Sequence, residues 1–356
     1  MVASHGVSHD QDMRERTGGI WTLHYELHEV EPYVNWLYFF NAWGFPARYG
    51  NVARIHDCPS CRAQWLASFP DAEKPKAQEA MKLYDDALAL LHNLDGQVQT
   101  HAIVGLYEAN GENENIVLRQ GIKVKGEGLR VKGEGFLNES SVTSAERRVK
   151  GEEQSSQLAF SQELDIRLSL LRQQHGETCL CWADFLPPVE SGQTGTVGLF
   201  VTSVDEKMIN SEHTDDYHLM LAQTLADRLA EATAERMHEE VRKELWGYAK
   251  DERLTIEEML QEKYVGRRPA VGYPSLPDQS LNFLIDQLLD MKRIGVNLTE
   301  SGAMRPHAST SGLIISHPQA RHFAIGHIGE DQLKDYALRR GMPENRIREF
   351  LASNIA

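Results

Sequence analysis

Long apolar runs are missing from this sequence of 356 residues. No segment approaches the roughly 18 consecutive apolar residues that a membrane-spanning helix needs, and the polar N-terminus lacks the apolar core of a secretory signal. Cysteine is scarce as well, with four in the whole chain. These absences disfavour a disulfide-stapled secreted protein and a membrane partner, and we expect a reduced, cytoplasmic protein.

Basic residues are also few, since 37 lysines and arginines stand against 52 acidic residues and give a net charge of −15. This balance disfavours a nucleic-acid partner. The sequence contains no G-x-G-x-x-G, P-loop, G-x-S-x-G or H-E-x-x-H motif, so the common nucleotide, hydrolase and metalloprotease signatures are absent. What remains is an ordinary globular composition, in a chain long enough to bury a substantial core.

Two stretches lack the pattern of a packed structure. Residues 1–19 are polar and predict a flexible tail, which leaves 20–356 as the folded domain. Within that domain, residues 123–153 carry a VKGEG repeat at Val124 and Val131 and a Ser/Glu/Asn-rich stretch without apolar periodicity. Because such a composition cannot form a core, we predict a disordered surface insertion there.

The remaining sequence alternates between helical and strand patterns. Apolar residues at three- and four-residue steps predict helices at 73–94, 163–174, 215–245, 255–264 and 280–293, with two more near the C-terminus. Short apolar and β-branched runs predict strands at 102–109, 114–118, 196–204, 311–316 and 322–328, of which the first two form a hairpin.

An aromatic segment at 20–46 has two interpretations. Five of its large rings lie too close together to face solvent at once: Trp36, Tyr38, Phe39, Phe40 and Trp43. They form either a buried packing segment or one wall of a ligand cleft.

The segment 266–278, GRRPAVGYPSLPD, holds three prolines and two glycines within thirteen residues. Proline restricts its own backbone and that of its predecessor, so we predict a stiff, extended loop. Stiff loops hold side chains at fixed positions around ligands. Arg268 could grip a carboxylate with two hydrogen bonds, and Tyr273 offers a ring and a hydroxyl. The alternative is a rigid connector with a structural arginine.

Cys58 and Cys61 form a C-x-x-C pair shortly after His56. Zinc binding or thiol redox chemistry would need a second ligand pair or a redox fold. Cys179 and Cys181 are the other candidates, but their C-x-C spacing in an apparent strand directs both side chains to one face with little reach. We therefore predict no metal ligands, and a zinc or redox protein is the third-ranked hypothesis.

Several motifs together carry a family resemblance. They include ADRLAEA and RPAxGYP within residues 213–279, then LTESxAM and DQxxDYAxRxG further on, with YVNWLYFFNAW, LCWADFLPP and TVGLFVT upstream. This set closely resembles the activation domain of cobalamin-dependent methionine synthase, and it spans most of the chain outside the tail and the insertion.

The resemblance implies a fold and an activity. The fold is an α/β (α+β-like) curved domain with a twisted, mainly antiparallel sheet and helices. The activity is that of a methyltransferase part, which binds S-adenosylmethionine and docks over inactive cob(II)alamin. A flavodoxin-type reductant supplies one electron, and the sulfonium methyl group passes to cobalt to restore methylcobalamin. The cofactors implied are S-adenosylmethionine and a cobalamin held by a partner chain.

The resemblance also implies a set of site residues. The ligand contacts of the proline-rich loop fall on Arg268, Ala270 and Tyr273, and Tyr273 lies where the methyl donor meets the corrin, the catalytic position. The other binding positions are Glu231, Glu262, Asn35, His322 and Phe323. Asn35 replaces the family's usual aspartate, and His322 replaces its usual tyrosine, so both depart from the pattern.

Two functions compete on this basis. The sequence has no D-x-H-x-x-G cobalamin motif and no thiolate cluster of a homocysteine module, so we expect a free-standing activation subunit of a split methionine synthase, inactive without its cobalamin-binding partner chain. The alternative is a S-adenosylmethionine sensor or docking module without a methyl-transfer role. Asn35 favours the alternative, whereas the intact loop from Arg268 to Tyr273 favours the activation subunit.

Overall fold

The computed structural model describes residues 14–17, 19–119, 166–210 and 215–355. Its strands are β1 Arg14–Thr17, β2 Ile20–Glu26, β3 Gln99–Glu112, β4 Asn115–Arg119, β5 Ile166–Ser169, β6 Gly195–Val204, β7 Asn297–Leu298, β8 Met304–Arg305 and β9 Ser309–Ile314. Its α-helices are α1 Leu27–Val30, α2 Trp36–Ala42, α3 Pro59–Ala67, α4 Lys74–Leu94, α5 Lys207–Asn210, α6 Asp216–Glu240, α7 Ile256–Leu260, α8 Leu281–Leu289, α9 Glu330–Arg340 and α10 Glu344–Phe350. The predicted insertion at 123–153 lies outside the described residues, as do residues 1–13 of the predicted tail; β1 falls within that tail.

Among the described residues, seven strands form an antiparallel sheet around β3, which is the longest of them at 14 residues. One edge of β3 pairs with β2 along its first half and with β4 along its second half. The other edge pairs with β6, which in turn pairs with β9. The outer strands β1 and β5 add to β2 and β4. The predicted α/β fold with a mainly antiparallel sheet is therefore confirmed.

The sheet is buried on both faces. Because side chains alternate along a strand, Ala102 and Val104 of β3 join a core with α4 and α6, whereas Ile103 and Tyr107 join a second core with α8. A third, smaller core lies between α9 and α10. Helices thus cover a sheet that would otherwise expose an apolar face.

The long helix predicted at 215–245 is present as α6, and its last turn, Val241–Leu245, widens into a π-helix. The Thr202 hydroxyl of β6 donates to the carbonyl oxygen of Ala230 at 2.9 Å, which ties the middle of α6 to the sheet. Neither α6 nor any other helix of the described residues is both long and apolar enough to cross a membrane. The tie to β6 fixes the helix that carries one wall of the cleft described below.

The helix predicted at 163–174 is wrong for the part that the structure describes. Ile166–Ser169 form β5 and pair with β4, and Leu168 and Leu170 are buried in the second core. Ile166, Leu168 and Leu170 follow a two-residue period that the neighbouring Leu171 obscures in the sequence. The open edge of β4 decides between the two patterns, because tertiary pairing overrides a weak local preference.

The strand predicted at 322–328 is also wrong. Residues 321–326 have no regular secondary structure. The N–H of Ile325 donates instead to the carbonyl oxygen of Pro274 at 2.8 Å, and Ile325 and Ile328 are buried in the third core. Ile325 therefore anchors a loop against the proline-rich segment, and Ile328 forms only an isolated bridge with Ile355, so the run does not join the sheet.

Candidate functional site

A cleft of about 710 Å³ opens between α6, the proline-rich loop and two other segments of the chain. Its volume lies within the range of small-molecule sites. The eight residues that the resemblance assigned to ligand binding all line it, from four parts of the chain: Asn35, Glu231, Glu262, Arg268, Ala270, Tyr273, His322 and Phe323. The fold thus brings the whole predicted set together.

The proline-rich loop is held along the free edge of β9. Arg267 and Ile315 exchange two backbone hydrogen bonds of 2.8 and 2.9 Å, and the N–H of Leu313 donates to the carbonyl oxygen of Pro269 at 3.0 Å. These bonds make the first half of the loop an irregular extra strand of the sheet. The stiffness predicted from its prolines is reinforced by this pairing, so the loop presents its side chains to the cleft from a fixed backbone.

Ala270 turns its backbone N–H and C=O away from β9 because of its register with that strand. It lies opposite Gly312, and its neighbours Pro269 and Val271 form the hydrogen bonds to β9. The carbonyl oxygen of Ala270 accepts a hydrogen bond from the N–H of Tyr273 at 3.3 Å. Gly312 permits this close approach, since a Cβ there would lie 2.1 Å from the carbonyl oxygen of Pro269. The lack of a side chain at position 312 therefore allows the backbone of the loop to lie directly beside β9.

Arg268 is anchored by Glu235, a residue that the sequence analysis missed. Nη2 of Arg268 donates to Oε1 of Glu235, and the two side chains are only 11% and 18% exposed. Among the described residues, Nε of Arg268 and Oε2 of Glu235 have no hydrogen-bond partner. The ion pair fixes the guanidinium through one nitrogen and leaves donor groups for another acceptor. The spacing could have revealed Glu235, which follows Glu231 by four residues on α6 and so shares its face.

Tyr273 is fixed at the cleft although half of its surface is exposed. Its hydroxyl donates to Oε1 of Glu231 at 2.8 Å, and Arg228 donates to the other oxygen of that carboxylate at 2.8 Å. Partial burial and the negative charge of Glu231 raise the pKa of Tyr273 to about 12. The phenol therefore stays protonated at neutral pH and acts as a hydrogen-bond donor.

Glu262 reaches the cleft because α7 is shorter than the helix predicted at 255–264. The helix ends at Leu260, and Glu262 adopts a φ of 56°, which is uncommon for a residue other than glycine. Its Oε1 lies 3.4 Å from Nε2 of His322, and its Oε2 lies 3.6 Å from Nε of Arg267. The early helix end thus converts an apparent surface glutamate into a cleft residue.

The protonation of Glu262 should depend on His322. The hydrogen bond from His322, opposed by partial burial, lowers the pKa of Glu262 below its ordinary value of 4.5. A depressed carboxyl pKa stabilises the fold at pH values above about 4.5, and this contribution is lost as the pH falls through the folded-state pKa. Because the site is partly exposed, we expect the contribution to be below about 1 kcal/mol.

A carboxyl ¹³C NMR titration measures this pKa, with Glu262→Gln to assign the resonance. We expect His322→Ala to move the pKa of Glu262 upward, toward 4.5. An unchanged titration curve in that variant would rule out the His322 contact as the cause.

His322 and Phe323 are positioned by a buried tryptophan. The Trp182 ring centroid lies 5.9 Å from that of His322 and 4.9 Å from that of Phe323. Its indole N–H donates to the carbonyl oxygen of Ser275 at 3.0 Å. Trp182 therefore fixes the loop containing His322 and the proline-rich loop relative to each other.

The aromatic segment contributes both to the buried core and to the wall of the cleft, through different residues. Phe39 and Phe40 are fully buried in the first core. Tyr33, Asn35 and Tyr38 line the cleft, and Tyr38 is 59% exposed. Asn35 immediately precedes α2, so the start of this helix forms the wall opposite the proline-rich loop.

The fold defines an α/β domain with a cleft of small-molecule size, lined by side chains of both charges. A family model described as the activation domain of vitamin B12-dependent methionine synthase matches residues 26–341. The chain belongs to this family.

A solved structure is similar to the whole chain. It is the crystal structure of the MetH reactivation domain bound to AdoHcy. The two have a TM-score of 0.71 and 29% sequence identity, over 97% of this chain and 92% of the solved one. The resemblance recognised in the sequence is therefore confirmed.

Proposed function

We propose that the cleft binds S-adenosylmethionine and that the domain delivers its methyl group to cobalamin on a partner chain. In this role it supports reductive methylation of cob(II)alamin to methylcobalamin. Membership of the activation-domain family supports the proposal. So does the similarity to a reactivation domain bound to AdoHcy, the molecule that remains when S-adenosylmethionine loses its methyl group.

The charges that line the cleft support S-adenosylmethionine as the ligand. S-adenosylmethionine has a carboxylate, an ammonium and a sulfonium group, so its site needs both signs of charge. Arg268 retains donors for the carboxylate beyond its pair with Glu235. Glu231 and Glu262 place negative charge along the same cleft, which favours the two cationic groups. The N–H of Ala270, which faces away from β9, can donate a hydrogen bond to the edge of the adenine.

Tyr273 is the residue that we place next to the transferred methyl group. Its ring is half exposed while its hydroxyl is held by Glu231 at 2.8 Å, so it combines access with a fixed position. Cobalamin supplies the cobalt that accepts the methyl group, and a flavodoxin-type reductant supplies one electron. The residues of this chain bind the donor and orient it, which is how positioning accelerates a transfer between two bound groups.

Reactivation in trans tests the function. A cobalamin-bearing methionine synthase that lacks its own activation domain is converted to the cob(II)alamin form, then mixed with this protein, S-adenosylmethionine and a reductant. We expect turnover to recover. Tyr273→Ala should abolish most of the recovery, whereas Tyr273→Phe, which keeps the ring, should retain more of it.

The outcomes separate the competing functions. Recovery that needs both this protein and S-adenosylmethionine supports the activation role in trans. Tight ligand binding without recovery at any concentration would leave the sensor or docking function. No binding at millimolar S-adenosylmethionine would overturn the ligand assignment itself.

Asn35→Asp should tighten S-adenosylmethionine binding, because it adds a negative charge to a cleft that receives a cationic amine. At a partly exposed site we expect a gain of about 1 kcal/mol or less, or up to about fivefold in Kd. Isothermal titration calorimetry measures it. Asn41→Asp is the control, since it adds the same charge to α2 outside the cleft lining. Equal effects of both changes would mean that Asn35 does not face the ligand.

A further inference from the structure

Three side chains of the types that commonly bind metal ions lie close together outside the cleft lining. One donor atom each from His56, Cys58 and Cys61 lies within 4.8 Å of the other two, and none of these residues lines the cleft. Thiolate sulfur and imidazole nitrogen are the ligand atoms that Zn²⁺ prefers in proteins. We propose that the three side chains form a Zn²⁺-binding site whose fourth position is taken by water.

The turn at the start of α3 preforms this arrangement. Cys58 is the N-cap of α3, and its Sγ accepts a hydrogen bond from the N–H of Cys61 at 3.3 Å. Pro59 occupies the first helical position, where its fixed φ suits the helix. The N–H of Cys58 donates to the carbonyl oxygen of His56 at 2.8 Å, so the backbone folds back and brings the imidazole to the two sulfurs.

The distances suit a tetrahedral zinc shell. Zn–S bonds of about 2.3 Å and Zn–N bonds of about 2.0–2.1 Å place tetrahedral donors about 3.6–3.8 Å apart. The three donor atoms already lie within 4.8 Å of one another. The most widely separated pair therefore needs to approach by no more than about 1 Å. His56 is exposed and the two cysteines are half-buried, so side-chain rotation can supply this movement without disturbing the core.

The local charges are compatible with a cation. The Sγ of Cys58 accepts a hydrogen bond from the N–H of Cys61 at 3.3 Å, and such a contact is compatible with the thiolate that zinc binds. Arg62 is the nearby cation, but it is paired with Asp57 at 2.7 Å and with Asp85 at 2.5 Å. Two thiolates and a neutral imidazole carry a charge that Zn²⁺ neutralises.

This site differs from the arrangement considered in the sequence analysis. There, Cys179 and Cys181 were the only candidates for a second ligand pair. In the structure Cys181 is buried in the second core, and the third ligand comes from His56 instead. A bound ion would join the segment before α3 to that helix, whose Trp65 and Leu66 pack against the first core.

Metal analysis of the intact protein tests the site. The reduced, metal-free protein is titrated with Zn²⁺ in competition with a chromophoric chelator, and Co²⁺ is used as a spectroscopic probe of tetrahedral thiolate coordination. We expect equimolar binding with a Kd below about 1 μM, and a higher melting temperature with zinc. Cys58→Ser and Cys61→Ser should each weaken binding by at least about 100-fold, and His56→Ala by less.

Cys179→Ser is the matched control, because it removes another half-buried thiol and should leave binding unchanged. Equal zinc affinity in the parent and Cys58→Ser would overturn the proposal. So would binding only at millimolar metal, or a Cys58–Cys61 disulfide that forms readily in a protein that binds no zinc when reduced. Circular dichroism of each variant separates lost ligands from lost folding.

Discussion

Arg268→Ala is expected to weaken S-adenosylmethionine binding by about 1.5–3 kcal/mol, or about 10–150-fold, the range for hydrogen bonds to a charged group. Arg268 is the nearly buried cation of the cleft, held by Glu235 on one side. Its removal deletes the partner proposed for the ligand carboxylate. The measurement is the Kd from isothermal titration calorimetry.

A second variant, Glu235→Gln, separates binding from stability. Arg268→Ala also leaves Glu235 as an unpaired buried carboxylate, which should lower the melting temperature. Glu235→Gln keeps the guanidinium but weakens its anchor, so we expect a smaller loss of affinity. If folded Arg268→Ala binds the ligand as tightly as the parent, the assignment of the ligand carboxylate to Arg268 is wrong.

Arg242→Ala should cost about 3–5 kcal/mol of unfolding free energy, the range for breaking a buried ion pair. The Arg242 side chain is fully buried, and its Nε and Nη2 donate to Glu252 at 3.0 and 2.7 Å. Its guanidinium carbon lies 4.2 Å from the ring centroid of Tyr264. The pair therefore joins the end of α6 to the segment that carries Glu262. Urea unfolding followed by circular dichroism measures the loss.

An exposed arginine provides the comparison. Arg346 pairs with Glu349 on α10, with side chains 45% and 60% exposed, and Arg346→Ala should cost no more than about 0.5 kcal/mol. The double change Arg242→Met with Glu252→Leu removes both charges and should cost less than Arg242→Ala alone. A cost of Arg242→Ala as small as that of the exposed control would contradict the structural role given to this pair.

The sequence predicted correctly those helices and strands whose hydrophobic period matches the way they pack in the fold. The predictions at 73–94 and 196–204 match α4 and β6 closely, because each has one strong period and a core to face. The predictions at 163–174 and 322–328 failed, because an open sheet edge and a loop anchored to Pro274 decided those conformations. Such partners lie far away in the sequence, and local periodicity carries no information about them.

The sequence indicated residues that the fold brings into one cleft, but it did not indicate the contacts that hold them there. All eight residues that the resemblance identified line the cleft, but the partners that orient them come from the fold. Glu235 and Arg228 flank Glu231 at helical spacing, so the sequence could have revealed them as its neighbours on α6. The ion pair of Glu235 with Arg268, however, is visible only in the fold. Trp182 fixes His322 and Phe323 from a segment about 140 residues earlier, a relation without any local sequence signal.

The cleft is built from segments that lie far apart in the sequence, so it is complete only late in synthesis. Its walls come from residues 33–38 and from residues 322–324, so no partial chain that lacks the second segment contains a complete site. The hairpin of β3 and β4 and the helix α4 depend on local contacts and can form early. The ligand that we propose, S-adenosylmethionine, therefore has no complete site on the emerging chain. Its proposed binding would stabilise only the completed fold, by an amount set by its concentration relative to Kd.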